Sequence, residues 1–196
     1  MSKKISLVTS DGEALEARWD VPAAPTGAVV FCHPHPLQGG SMMAPLMIAV
    51  TTTLNERGLS VLRFNFRGTG GSSGEHTDGE MEVLDVAAAI ETAGGTGLEL
   101  HLAGWSFGAG VALRWLGGQK DPVPYAGIAP STSVLPDELP PGPKRIVVGT
   151  RDQVVDVEAL RKYAERHSID LLLTPGDHFF HGRGKKIGNL VAQGFE

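Results

Sequence analysis

One cysteine, Cys32, stands in 196 residues, so no disulfide closes within the chain and no cysteine-rich metal site is available. Lysine and arginine do not cluster. Lys3-Lys4 and Lys185-Lys186 are isolated pairs in a chain of formal net charge −5, which argues against nucleic acid or an anionic membrane as the main partner. No apolar run approaches the ~20 residues that span a bilayer. Met1 to Asp11 has an early lysine pair but no long apolar core, so no signal peptide is expected and the expected location is cytoplasmic. The glycines between Gly68 and Gly74 lack the strand–Gly-x-Gly-x-x-Gly–helix pattern, and no Gly-Lys-Ser/Thr follows them, which argues against a nucleotide site. Repeats and low-complexity stretches are missing too. The expectation is one domain over residues 1–196, long enough to bury roughly 70% of its unfolded surface.

What is present is organised around one corner. Leu98 to Ala103 alternates in the manner of a buried strand, and Ala109 to Leu116 has helical spacing. Between them lies Gly104-Trp105-Ser106-Phe107-Gly108, a Gly-x-Ser-x-Gly nucleophile elbow in its strand–helix context. A serine at the tip of so sharp a turn needs strained backbone angles, and glycine on either side removes the collisions a side chain would make. The turn lifts the Ser106 hydroxyl off the sheet and aims the first helical N–H groups at whatever binds there.

Taken in order, Ile5 to Val8 and Leu15 to Trp19 read as an opening hairpin about Asp11-Gly12. Ala28 to Cys32 is a continuous apolar run, as in a strand buried on both faces. The loop His33-Pro34-His35-Pro36-Leu37-Gln38-Gly39-Gly40 follows. The pattern then predicts a helix over Met42 to Glu56 stopped by Gly58, a strand over Leu59 to Phe64 and a helix over Asp78 to Ala93. Beyond the elbow it predicts strands over Tyr125 to Ala129, Arg145 to Gly149 and Asp170 to Thr174. Further helices are expected over Val157 to His167 and over Phe179 to Ala192, the last interrupted near Gly182 to Gly184. Strands alternating with helices predict a doubly wound, mostly parallel α/β sheet with helices on both faces and the site beyond the carboxyl ends of the strands.

Ser106 needs a base, because a free hydroxyl is a poor nucleophile at neutral pH. Seven histidines are available. His178 follows the last predicted strand and is the base expected on position. His101 sits inside a strand, His167 ends a helix, and His76 and His181 lie in or near loops. Asp152, just past the Arg145 to Gly149 strand, is the acid expected at the same edge. Asp156, as a helix cap, and Asp177, as a turn residue, are its competitors. The order Ser, Asp, His is the one such a sheet carries. An oxyanion hole is expected from the Phe107 N–H and from the loop after the first central strand. Pro34 and Pro36 have no N–H, so His35 is the donor expected there and Leu37 the fallback. His33-x-His35 has a metal-like spacing but no third ligand nearby, and no metal or organic cofactor is expected. Cys32 ends a buried strand and reads as a small core residue.

His33-Pro34-His35-Pro36 with Gly39-Gly40, Asn65-Phe66-Arg67-Gly68, Gly104-Trp105-Ser106-Phe107-Gly108, Gly149-x-x-Asp152-x-x-Val155 and Asp177-His178-Phe179-Phe180 resemble the α/β-hydrolase superfamily. The closer likeness is to its small, lid-less serine hydrolases related to dienelactone hydrolases and carboxylesterases. The resemblance implies Ser106 as nucleophile, Asp152 as acid and His178 as base. Dienelactone hydrolases proper carry cysteine where this chain has Ser106, so their substrate is not carried over. The expected activity is hydrolysis of small carboxylic esters through an acyl-enzyme, by a monomer or homodimer. The stretch from Pro130 to Lys144 is too short and proline-rich for a helical lid. Leu37, Met42, Met43, Trp105 and Phe179 are expected to line a shallow apolar pocket, with core packing as the other reading for the methionines. A thioesterase or peptidase on the same three residues, and a non-catalytic binding protein of the same fold, are the alternatives.

Overall fold

The computed structural model describes residues 2–195; Met1 and Glu196, the ends of the expected domain span, lie outside them. β1 (Ser2–Val8) and β2 (Ala14–Asp20) form the antiparallel hairpin, turning at Gly12 with φ 93°. β3 (Gly27–Cys32), β4 (Leu59–Phe64), β5 (Glu99–Trp105), β6 (Tyr125–Ile128), β7 (Lys144–Gly149) and β8 (Asp170–Thr174) pair in parallel. The sheet order is β1-β2-β4-β3-β5-β6-β7-β8, with β2 antiparallel to β4. From β3 the chain passes first to β4 on one side and then to β5 on the other. The crevice at that reversal lies beyond the carboxyl ends of β3 and β5, where the first loop and the elbow emerge.

Alternation along β3 explains the layers. Val29 and Phe31 face one side and pack with α1 (Pro45–Glu56) and α5 (Gly184–Ala192), through Leu46, Met47, Val50, Ile187 and Val191. Ala28, Val30 and Cys32 face the other and pack with α2 (Glu82–Gly94) and α3 (Phe107–Gly117), through Val86, Ala89, Val111 and Leu113. Every residue of β3 is buried, which is why its sequence is apolar without alternation. α4 (Val157–Arg166) covers the β7–β8 end through Leu160 and Ala164. The doubly wound arrangement expected from the sequence is the one observed. Among the described residues no helix is long and apolar enough to cross a membrane.

Three helices begin later than the apolar periodicity predicts, each because side-chain groups engage the backbone ahead of the helix. Met42 is buried in irregular chain, where its N–H donates to Asn65 Oδ1 (2.9 Å) and its carbonyl accepts from Arg63 (2.7 Å). α1 starts at Pro45, a residue preset for the first helical position. Residues 77–79 form a turn held by the Glu82 carboxylate, so α2 begins at Glu82 and not at Asp78. Asp177 ties down the Phe179 and Phe180 amides, and Phe180 adopts φ 49°, so α5 begins only at Gly184. The 129–143 connection contains a single 3₁₀ turn, Thr132–Val134, and no helix.

Candidate active site

Ser106 sits between β5 and α3 with φ 55° and ψ −118°, a conformation that costs on the order of 1–3 kcal/mol for a residue with a side chain. The surroundings over-determine it. Its N–H donates to the Ile128 carbonyl (2.8 Å), and its own carbonyl accepts from Gly110 (3.1 Å) and Ser131 (3.0 Å). Both flanking glycines are required by close approach. A Cβ on Gly108 would lie 2.2 Å from the His33 carbonyl oxygen, and one on Gly104 2.5 Å from the Ala109 backbone. The elbow is thereby pressed against the end of β3, which brings Ser106 next to the loop that follows that strand.

His178 comes in from the turn after β8. Its Nε2 lies 3.0 Å from Ser106 Oγ, and its Nδ1 lies 2.9 Å from Asp152 Oδ2. Asp152 follows β7, and its side chain is fully buried. Its second oxygen, Oδ1, accepts from the Val154 (2.9 Å) and Val155 (3.1 Å) amides, which fixes the carboxylate and leaves Oδ2 to the imidazole. The two competing carboxylates are occupied elsewhere. Asp156 caps α4 by accepting from Glu158 and Ala159 (3.0 Å each), and Asp177 accepts from Phe179 (3.1 Å) and Phe180 (3.0 Å). The Trp105 indole N–H donates to the His178 carbonyl (3.2 Å), so the residue before the serine also holds the histidine's backbone. Sequence reading did not find that role for Trp105. The arrangement can pass a proton from Ser106 to His178 while Asp152 holds the imidazole.

A cavity of about 210 Å³ opens over Ser106 and His178, lined also by His35, Gly40, Trp105 and Phe179. A second, of about 440 Å³, continues past Trp105, Pro45 and Phe179 toward Leu46, Ala49 and Gly184. Of the residues expected to form the pocket, Trp105 and Phe179 line both cavities. Leu37, Met42 and Met43 line neither, and these three expectations are corrected; for Met42 the other reading, core packing, is the one that holds. Leu37 projects into solvent from the 3₁₀ turn Pro36–Gln38, 76% exposed, and Met42 belongs to the buried interior. Val154, which sequence reading did not single out, forms part of the rim.

The loop after β3 is stiff. The His35 carbonyl accepts from Gln38 (3.1 Å) and Gly40 (3.0 Å), and a Cβ on Gly40 would lie 2.1 Å from the Pro34 carbonyl oxygen. Its anchor is His33, fully buried. His33 Nδ1 donates to the Pro34 carbonyl (2.6 Å) and Nε2 accepts from the Phe66 amide (3.0 Å), the tautomer these two partners require. Burial pushes the His33 pKa down to about 4, helped by the neighbouring His35 and His76 and opposed by the Pro34 carbonyl, so the ring is neutral at pH 7. Both His33 nitrogens are thus engaged, by Pro34 within the loop and by Phe66 just past β4, so neither is open to share a ligand with His35. His35 instead lies against His76, which the fold brings from the far side of β4. The Phe107 amide heads α3, where the N–H has no intrahelical acceptor, and the His35 and Phe107 rings are 5.0 Å apart.

Beneath the site, Arg67 binds Asp85 (2.7 and 2.9 Å) and Asp11 (2.9 Å), with the Asp85 side chain fully buried. Asn65 joins Met42 to Glu16. The Asn65-Phe66-Arg67 stretch therefore anchors the floor. Burial pushes the Cys32 thiol up, so it is inert as a nucleophile. His101 stacks on Phe195 (4.6 Å) and His167 packs on Tyr163 (4.4 Å), both away from Ser106.

Residues 23–146 match the family described as serine aminopeptidase, S33. Two solved structures align over nearly the whole chain. A lid-less α/β serine hydrolase from Xanthomonas campestris has a TM-score of 0.88 and 30% identity, covering 98% of this chain and 93% of that one. An α/β serine hydrolase homologue from Coxiella burnetii has a TM-score of 0.86 and 29% identity, covering 99% and 97%. An uncharacterised protein of Rickettsia prowazekii is 29% identical over 91% of this chain and 82% of its own length. The elbow, the sheet order and these matches agree: among the described residues no lid domain interrupts the fold, and the chain belongs to the serine aminopeptidase S33 family of the α/β-hydrolase superfamily of serine hydrolases.

Proposed function

We propose that the protein hydrolyses small carboxylic esters through an acyl-enzyme on Ser106. The observation that carries this reading is the hydrogen-bonded line Ser106–His178–Asp152 opening into a cavity with no carboxylate among its described lining residues. An aminopeptidase has to neutralise the α-ammonium of its substrate, and a cavity without an acidic group leaves that charge desolvated and unpaired. A neutral ester or thioester carries no such group. The aromatic faces of Trp105 and Phe179 suit an apolar acyl or alcohol moiety.

In the reaction Ser106 Oγ attacks the carbonyl carbon while its proton passes to His178 Nε2. Asp152 Oδ2 accepts the Nδ1–H, selecting the tautomer and stabilising the imidazolium. The oxyanion that forms is held by the His35 and Phe107 amides, whose dipoles are fixed in place before the charge develops. Collapse expels the alcohol, which takes the proton back from His178. Water, deprotonated by the same imidazole, then attacks the acyl-enzyme and releases the carboxylate. No step calls on a metal or cofactor. The protein acts as a single domain over residues 1–196, as a monomer or homodimer. A cytoplasmic location is part of the same proposal.

The test is labelling of the purified protein by a fluorophosphonate probe, followed by initial rates on matched short-chain esters, thioesters and aminoacyl amides. The expected result is stoichiometric labelling at Ser106 and kcat/KM highest for the esters. Preference for thioesters would move the assignment within acyl hydrolysis, preference for aminoacyl amides would make it a peptidase, and no labelling would leave a binding protein.

A further inference from the structure

A cluster of side chains that the hydrolysis does not use lies against the far side of the Phe107 ring. His76 and His35 face each other with ring centroids 5.0 Å apart, and they pack on Phe107 at 5.2 and 5.0 Å. His76 Nε2 is 3.0 Å from Asp78 Oδ1. On the opposite edge of the same ring, Nδ1 is 2.9 Å from Glu82 Oε1, though out of line for a full hydrogen bond. One ligand atom each from His35, His76 and Asp78 lie within 4.8 Å of one another. His35 Nδ1 is buried and has no hydrogen-bond partner among the described residues. A buried imidazole nitrogen left unpaired costs stability, so the site has an unfilled demand for a partner.

We propose that His35, His76 and Asp78 form a binding site for one divalent cation of the zinc type. Two imidazoles and a carboxylate suit Zn²⁺, Co²⁺ or Ni²⁺ and not the oxygen-seeking Mg²⁺ or Ca²⁺, and three protein ligands leave a fourth position to water. In a tetrahedral site with bonds of about 2.0–2.2 Å, ligand atoms stand roughly 3.3–3.5 Å apart. The His76–Asp78 separation of 3.0 Å is already of that size. The His35–Asp78 separation closes by rotation of Asp78, whose side chain is 87% exposed and free to swing, and the His35–His76 separation, within 4.8 Å, closes by a turn of the imidazoles. Behind His76 stands the support such ligands use, a carboxylate at the other ring nitrogen. Glu82 is fully buried and held by the Thr77 amide (2.8 Å), the Thr77 hydroxyl (2.6 Å) and the Gly79 amide (2.9 Å). It is rigid enough to orient the ring. A cation bound there ties the loop after β3 to the segment before α2. The proposal needs only these side chains and does not rest on the reaction assigned to Ser106.

The test uses the full chain stripped of metal, titrated with Zn²⁺ against a competing chromophoric chelator and with Co²⁺ by electronic absorption. A His178→Ala background removes the histidine at Ser106 as a rival ligand. The expected result is one equivalent of Zn²⁺ per chain in that background, with Co²⁺ bands of tetrahedral intensity and no competition from Mg²⁺ or Ca²⁺. His76→Phe, which keeps the ring volume, is expected to weaken Zn²⁺ binding by at least about tenfold and to abolish the Co²⁺ bands. Asp78→Asn, an exposed change that leaves the fold alone, is expected to weaken it in the same direction. Undiminished Zn²⁺ affinity in both variants, no bound equivalent at all, or binding that disappears with His178→Ala would each overturn the proposal.

Discussion

Acid weakens this fold through one buried histidine, and the size of the effect follows from its surroundings. His33 has an ordinary pKa of 6.5 and is pushed down to about 4 in the folded chain, chiefly by burial. Above pH ~6.5 the ring is neutral in both folded and unfolded states, and its contribution to stability is at its full value. As the pH falls below that, the unfolded chain takes up a proton that the folded chain refuses. Stability then declines by about 1.4 kcal/mol per pH unit until the folded ring also protonates near pH 4, a total of about 3 kcal/mol. The comparison that isolates this is His33→Gln, which loses the imidazole and starts roughly 1–3 kcal/mol less stable because the Pro34 and Phe66 groups lose their partner. Urea denaturation of both proteins at pH 7 and pH 5 cancels the other titrating groups to first order. The gap between wild type and variant is expected to narrow by about 2 kcal/mol at pH 5. A gap constant to within ~0.5 kcal/mol, inside which variants of this kind are indistinguishable, would refute the argument.

Three further outcomes follow from the site and its floor. Ser106→Ala is expected to lower ester turnover by about 10⁴-fold or more with an unchanged melting temperature, measured by steady-state rates and calorimetry. Asp152→Asn is expected to lower kcat by roughly 10³ to 10⁴-fold, because the amide presents a donor to His178 Nδ1–H and favours the wrong tautomer; Asp177→Asn, which touches only the turn amides, serves as the control and is expected to stay near wild type. Asp85→Ala leaves the Arg67 guanidinium buried with only the partly exposed Asp11, and a loss of about 3–5 kcal/mol is expected in denaturant melts.

What could be read from the chain divides by the range of the interactions involved. The sheet and the order of its helices were legible because each strand and helix carries its period within a few residues, and the period says which face is buried. The elbow was legible for the same reason: Gly104, Ser106 and Gly108 answer a local steric demand, and both glycines do meet backbone within 3 Å where a Cβ would go. Helix starts were not legible, because Met42, Asp78 and Phe179 continue an apolar or charge pattern while the backbone of Met42, of Thr77 and Gly79 on either side of Asp78, and of Phe179 is held by Asn65, Glu82 and Asp177. Asn65 is distant in sequence from Met42, and Glu82 and Asp177 act through side-chain-to-backbone bonds, which hydrophobic periodicity does not sense. Met42 shows the consequence for function, since a methionine at the head of an expected helix was assigned to the pocket, and its tie to Asn65 draws it into the interior instead. His33 and His35 show the same limit in reverse. Two imidazoles one residue apart have the spacing of a shared ligand site but no third partner near them in sequence, and an extended chain points alternate neighbours alike only when nothing else engages them. The Phe66 amide captures one ring, and the turn before α2 supplies the other with a partner forty-one positions away in sequence, His76. No local signal marks that pairing, because it depends on the β3–β4 crossover closing the two loops over Phe107. Spacing in the sequence therefore identifies which side chains carry chemistry here, while the sheet's connections decide which of them meet.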